Sequence, residues 1–173
     1  QGVRRRVVVR GHVGAGAAGL TCAFEAAARG HDVTLFEKSG RLGGLLQLAR
    51  NVPDKSEFDE LIRYLSYRVQ AEGVTVKLNA SPTAAELQGF DEVVIATGVR
   101  PRLPQIPGIG HPTVVSYADL LSGRMQAGHR VAVIGAGGIG FDVATFLLHD
   151  EYAADAASTP QAIDRFHSEW GVD

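Results

Sequence analysis

At 173 residues, with 45% hydrophobic and 21% charged residues, the chain has an ordinary globular composition and room for one domain, or for two small or incomplete ones. A net charge of −2 gives no electrostatic basis for nucleic acid or an anionic membrane as partner. One cysteine, Cys22, excludes an internal disulfide, a CxxC redox pair and a cysteine-held iron–sulfur site, and no metal-ligand cluster is visible. No apolar run approaches membrane-spanning length and the start lacks a signal-peptide core, so a cytoplasmic location is expected.

Arg4-Arg5-Arg6 reads as a solvated lead-in to a first strand at Val7-Val8-Val9. A helix from about Gly16 to Arg29 follows, stopped by Gly30. Its alanines would let it pack closely on a sheet, with Cys22 a buried core thiol. Val33 to Phe36 reads as a strand buried on both faces and ending at Glu37. Asp54 to Glu72 is expected as a helix capped by Asp54, with Glu57 three residues on. Phe58, Leu61, Ile62, Leu65 and Val69 fall on its core-facing side. A short strand at Val74 to Leu78, a short helix at Thr83 to Leu87 and a buried strand at Val93 to Ala96 come next.

Pro101, Pro104 and Pro107 make an extended connector, and a domain boundary is expected at Gly108 to Pro112. That divides the chain into a dinucleotide-binding domain, 1–112, and the incomplete beginning of a second, 113–173. In the second, Ser116 should cap a helix at Tyr117 to Leu121. Arg130 to Ile134 reads as a strand and Gly138 to Leu148 as the helix after it. Thr159-Pro160 suggests a final helix start, with Ile163, Phe166 and Trp170 along one side. The expected fold is α/β: a Rossmann-like parallel sheet, then the start of another Rossmann-like domain.

Two glycine fingerprints sit in this pattern. Gly14-Ala15-Gly16-Ala17-Ala18-Gly19 follows the first β-branched run, and Gly135-Ala136-Gly137-Gly138-Ile139-Gly140 lies 121 residues later. A single G-x-G-x-x-G is weak; two in strand–loop–helix context point to a pair of bound dinucleotides. A helix N-terminus offers unpaired N–H groups and partial positive charge to a pyrophosphate, and glycine lets the backbone come close. Glu37, 23 residues after Gly14, would accept hydrogen bonds from ribose hydroxyls and disfavour a 2′-phosphate. FAD, NAD or ADP fits that first site. Arg41-Leu42-Gly43-Gly44, with Leu45 after it, and the strand exit Ala96-Thr97-Gly98 tilt the reading toward FAD.

Arg10-Gly11-His12-Val13 intervenes between Val9 and Gly14. A strand running to Val13 would turn Arg10 and His12 into packed layers; one ending at Val9 would lengthen the phosphate loop by about three residues. His12 is read as a solvated loop residue. The second fingerprint lacks a following strand with an acid or arginine to choose NAD or NADP, and Asp142 lies too early in the helix for that role.

The chain resembles the C-terminal part of bacterial NADPH-dependent 2,4-dienoyl-CoA reductases. The resemblance lies in Val33 to Lys38, Leu42-Gly43-Gly44, Asp91 to Pro101, Ser116 to Leu121, Arg130 to Ala144 and the closing Glu169 to Asp173. It implies FAD at Gly14, Gly16, Gly19, Glu37, Lys38, Arg41, Gly44 and Thr97, and NADPH at Gly135, Gly137, Gly138 and Ile139. Ala17, where proline is frequent in such flavoproteins, is a mild departure. It further implies an N-terminal flavin barrel related to old yellow enzyme, holding FMN, an iron–sulfur cluster and the groups that reduce the dienoyl thioester. Two functions follow as expectations: a module passing electrons from NADPH through FAD to that barrel, or a non-redox dinucleotide or ADP module. A disulfide reductase is disfavoured because Cys22 has no partner.

Overall fold

The computed structural model describes residues 9–149. The chain divides into two units, one of residues 1–50 and 54–111, the other of 51–53 and 112–173. The first unit holds β1 (Val9–Val13), α1 (Ala17–Ala28), β2 (Asp32–Phe36), α2 (Leu46–Ala49), α3 (Glu57–Ala71), β3 (Thr75–Lys77), α4 (Ala84–Leu87) and β4 (Glu92–Ile95). Its four strands form one parallel sheet in the order β3-β2-β1-β4. The order reverses between β1 and β4, and in such sheets the crevice at the carboxyl ends beside the reversal is the ligand site.

The first strand runs straight into Gly14, so the phosphate loop has ordinary length and contains no insertion. Val7 and Val8 lie outside the described residues. His12 is no loop residue: it is 0% exposed, in register with Leu35 on β2 and Val94 on β4. Strand alternation puts His12 on the face of Leu35, which packs beneath α1 and α3. On the opposite face the ring of Phe90 lies against Gly11, where a Cβ would come within 3.1 Å of it, and Phe90 meets Phe36 edge to face at 5.8 Å.

Alanine spacing lets α1 sit close on the sheet. Gly19, Leu20, Ala23, Phe24 and Ala26 are buried, and the core joins Leu20, Ala23 and Phe24 to Val33, Leu35, Leu65, Val69 and Val74. Each large aliphatic side chain buried there contributes about 1.5–3 kcal/mol. Cys22 is on the other side of α1 and is exposed, correcting its expected burial. Asp54 does not cap α3. It stands at φ +61° three residues before the helix, and Ser56 occupies the capping position without a side-chain bond. Glu57, Asp59 and Glu60 instead place negative charge in the first turn, where the helix dipole favours it. Leu61 is 36% exposed, whereas Ile62, Leu65 and Val69 are buried. Thr83 caps α4 in a reciprocal capping box with Glu86.

The fourth strand departs most from expectation. It pairs with β1 on one flank, and the described residues put no strand on the other. Val93 is 37% and Ile95 65% exposed rather than buried.

In the second unit Ser116 caps α5 (Tyr117–Leu121), its hydroxyl accepting from the Asp119 N–H at 3.1 Å. Asn51 donates to the Leu121 carbonyl at 2.8 Å. The helix α6 (Gly138–His149) follows the second fingerprint. Residues 131–134 are not a strand, contrary to expectation. No described segment of this unit pairs with them, and Val131 and Ile134 stay 49% and 73% exposed. The expectations for Arg4 to Arg6 and for the Thr159-Pro160 helix fall outside the described residues.

Leu35→Ala removes a fully buried side chain and should cost about 2–5 kcal/mol in urea unfolding. Cys22→Ser should stay within about 0.5 kcal/mol of the parent. The Cys22 thiol of the native protein should react at once with a thiol reagent; reaction only after denaturant would place it back in the core.

Candidate functional site

The first fingerprint is a piece of backbone shaped by what surrounds it. Gly14 has φ +104° and lies under the exit of β4, where a Cβ would collide with the Ala96 carbonyl group and approach the Thr97 Cα at 3.0 Å. A Cβ at Gly19 would collide with the Gly14 carbonyl. Those two glycines are demanded by protein packing. Gly16 differs: a Cβ there would meet nothing within 4 Å on one side, and it starts α1 in an extended conformation with no side-chain cap. The N–H groups of Ala17, Ala18 and Gly19 in the first turn of α1 have no intrahelical acceptor by position. The space beside Gly16 and these amides suits an anion such as a pyrophosphate.

Gly43 and Gly44 bear on the loop, not on open space. The Gly43 N–H donates to the Ala15 carbonyl at 2.8 Å, and a Cβ on Gly44 would come within 2.9 Å of the Gly16 Cα. The glycine pair thus holds the far side of the phosphate loop.

Glu37 follows directly on β2 and is buried, 5% exposed. One oxygen, Oε2, accepts from the Ala15 N–H at 2.8 Å. The other, Oε1, accepts from both the N–H and the hydroxyl of Ser39, each at 2.8 Å. Burial pushes the carboxyl up. The Ser39 N–H, the Ala15 N–H, the Ser39 hydroxyl and the Lys38 charge together outweigh burial, and the group titrates below its ordinary value of 4.5. It is therefore an anion at neutral pH, and Oε2 keeps one lone pair for a ligand hydroxyl.

Beside Glu37 a cleft of about 360 Å³ is lined by residues at or after the ends of all four strands. Gly14, Glu37, Lys38, Thr97 and Gly98 meet there, which unites five of the sequence-predicted residues. Ala96 contributes its carbonyl over Gly14. Arg41 and Leu45 are exposed and do not line it. The cleft also takes in residues that sequence reasoning passed over: Ala80, Ser81 and Pro82 after β3, and Arg100 after β4. They follow strands that the pattern had located, and the rule that ligands bind at carboxyl ends could have flagged them. The Ala80 N–H donates to the Glu37 carbonyl at 2.9 Å and the Asn79 N–H to the Ser39 carbonyl at 3.0 Å, tying the β3 exit to the β2 exit.

The second fingerprint repeats the device in its own unit. Gly135 has φ +115°, and a Cβ on Gly140 would collide with the Gly135 carbonyl, as Gly19 does with Gly14. Gly137 and Gly138 open α6 with free space around them, and Ile139 is 51% exposed. Among the described residues, no group of three or more His, Cys, Asp or Glu is placed to hold a metal ion. No helix there is long and apolar enough to cross a membrane.

A parallel sheet, a glycine loop at a helix start and an acid ending the second strand define a Rossmann-like α/β dinucleotide-binding protein. A family model described as pyridine nucleotide-disulphide oxidoreductase matches residues 5–159, and the chain belongs to that family. It is 38% identical over 141 residues to the metal reductase of Desulforamulus reducens and 39% identical over 138 residues to the cinnamate reductase of Clostridium sporogenes. Each match covers 78% of this chain, and 21% and 20% of those proteins, so the chain spans about a fifth of the length of these curated relatives. A 2-naphthoyl-CoA reductase in complex with 2-naphthoyl-CoA superposes with a TM-score of 0.80 at 36% identity, over 86% of this chain and 23% of that one. The chain is thus a flavoprotein oxidoreductase domain similar to reductases, and its family implies FAD and NAD(P)H binding.

Because the folded carboxyl of Glu37 titrates low, its stabilisation is complete above pH 4.5 and is lost as pH falls through the lower folded value. Glu37→Gln should therefore be less stable than the parent at pH 7 in urea unfolding, and the two should converge as pH falls below the folded value of the carboxyl. A gap that does not change with pH would mean the charge contributes nothing.

Proposed function

We propose that this chain is the electron-input part of a longer flavin reductase, with FAD at the first fingerprint and NAD(P)H at the second. The observation that supports it most is the open space at Gly16, at the uncapped start of α1, one residue after Ala15, whose N–H donates to the Glu37 carboxylate. In this reading Gly16 and the Ala17, Ala18 and Gly19 amides hold the pyrophosphate, and Oε2 of Glu37 takes a ribose hydroxyl. Lys38, Thr97 and Gly98 border the adenosine, while Arg41, Gly44, Leu45 and Ala96 shape the approach. Gly135, Gly137, Gly138 and Ile139 receive the nicotinamide dinucleotide. Bound FAD would accept one hydride from NAD(P)H and pass its two electrons onward; the chain's own groups bind, orient and neutralise charge. The proposed domain boundary is at residue 112.

For the whole protein we propose reduction of a conjugated, unsaturated acyl substrate of the 2,4-dienoyl-CoA type, as in fatty acid β-oxidation. Two relatives, named for cinnamate and for 2-naphthoyl-CoA, support that class. The FMN and iron–sulfur cluster that such a reaction would use belong to a flavin-barrel domain outside these residues. The non-redox alternative loses one of its grounds, since the phosphate loop is of ordinary length.

The test is FAD binding followed by optical absorption. The protein should hold FAD, and anaerobic NAD(P)H should bleach the flavin band. Gly16→Ala should fold normally, because its Cβ meets nothing and its φ of −77° suits any residue. It should weaken FAD at least about tenfold. A protein that takes ADP but ignores FAD would instead be a non-redox module.

A further inference from the structure

Ser39 does more than end a turn. Its N–H and its hydroxyl both reach Oε1 of Glu37, at 2.8 Å each. The same hydroxyl lies 2.8 Å from the Arg41 carbonyl. A hydroxyl has one proton and can give it to one acceptor at a time. While Glu37 is ionised the charge-assisted bond is the stronger, so the proton goes to Oε1. Should the carboxyl be protonated, the Arg41 carbonyl becomes the better acceptor. Arg41 begins the segment whose Gly43 is bonded to Ala15 and whose Gly44 lies against Gly16. Ser39 therefore stands between the two halves of the nucleotide site, the ribose acid and the phosphate loop.

We propose that Ser39 is a positioning residue for the dinucleotide: its hydroxyl saturates Oε1 of Glu37, leaving a single acceptor position on Oε2 to select one ligand hydroxyl. The ligand class is a dinucleotide or nucleoside diphosphate with free ribose hydroxyls. This rests on the reading of the first fingerprint as the FAD site. Saturation of Oε1 fixes the rotation of the carboxylate, so the free lone pair is aimed before a ligand arrives. The charged side chains near this carboxylate are Lys38 beside it and Arg100 on the same cleft. The helix start from Ala15 to Gly19 and the β3 exit from Asn79 to Pro82 bring none, and Arg41 is exposed and does not line the cleft.

The experiment uses Ser39→Ala and Ser39→Gly, which remove the hydroxyl but keep the N–H, and Ser39→Thr, which restores a hydroxyl. Two readouts are taken: a carbon-13 carboxyl NMR titration of Glu37 without ligand, assigned with Glu37→Gln, and the FAD dissociation constant against pH. The expected result is a Glu37 midpoint raised in the alanine and glycine variants and returned by threonine. FAD should bind roughly three- to tenfold more weakly at neutral pH, with the acid limb of binding moved to higher pH. A Glu37 midpoint unmoved in both hydroxyl-free variants would overturn the role of Ser39, even if affinity fell. A moved midpoint in a protein that binds no FAD would leave Ser39 in place and sink the FAD reading instead.

Discussion

Backbone pressed on backbone, with no side chain between, is the constraint on which the ligand end of the first unit depends. The β4 exit crosses Gly14, the Gly14 carbonyl abuts Gly19, and Gly44 lies on Gly16. Three segments far apart in sequence thereby share one small volume. A methyl group at Gly14 or Gly19 would drive them apart, and overpacking of that kind costs about 1–3 kcal/mol where nothing can yield. The neighbours here are carbonyl groups of the main chain, which yield least. At Gly16, within the same loop, the absence of a side chain leaves room instead of closing it.

Electrostatics then build on that geometry. The loop that glycine permits brings the Ala15 N–H to Glu37, and the turn after β2 brings two donors of Ser39 to the same carboxylate. Three hydrogen bonds keep a largely buried acid ionised against the pull of burial. The negative charge at the end of β2 is thus fixed by the same loop whose helix start favours an anion. Opposite preferences are joined by the one hydrogen bond from Ala15 to Glu37, which suits a ligand with phosphates at one end and neutral hydroxyls at the other.

Much of this was legible in the sequence because it is local. The fingerprint spacing, the acid after Phe36 and the Thr83 and Ser116 caps are set by short-range chemistry, and the structure keeps them. What was misread depended on tertiary surroundings. The β1 boundary was obscured by Arg10 and His12, whose polarity argued against a buried strand; the sheet accommodates His12 beside Leu35 all the same. The Asp54 capping pattern was matched by a residue that takes a left-handed turn instead. Cys22 shares a helix with core residues yet faces away, because its neighbours Leu20, Ala23 and Phe24 own the inner side. The role of Ser39 was invisible, since a serine in a turn has no signature apart from the carboxylate it meets. Val93 to Ala96 reads as a buried strand and Arg130 to Ile134 as a strand, but burial and pairing require neighbours that a run of residues does not itself supply.

Among the described residues no strand covers the outer flank of β4, and this has a consequence for handling the molecule. Main-chain donors and acceptors along that flank, next to the exposed Val93 and Ile95, form a template onto which a foreign segment can zip. Concentrated solutions will select that seam first for self-association.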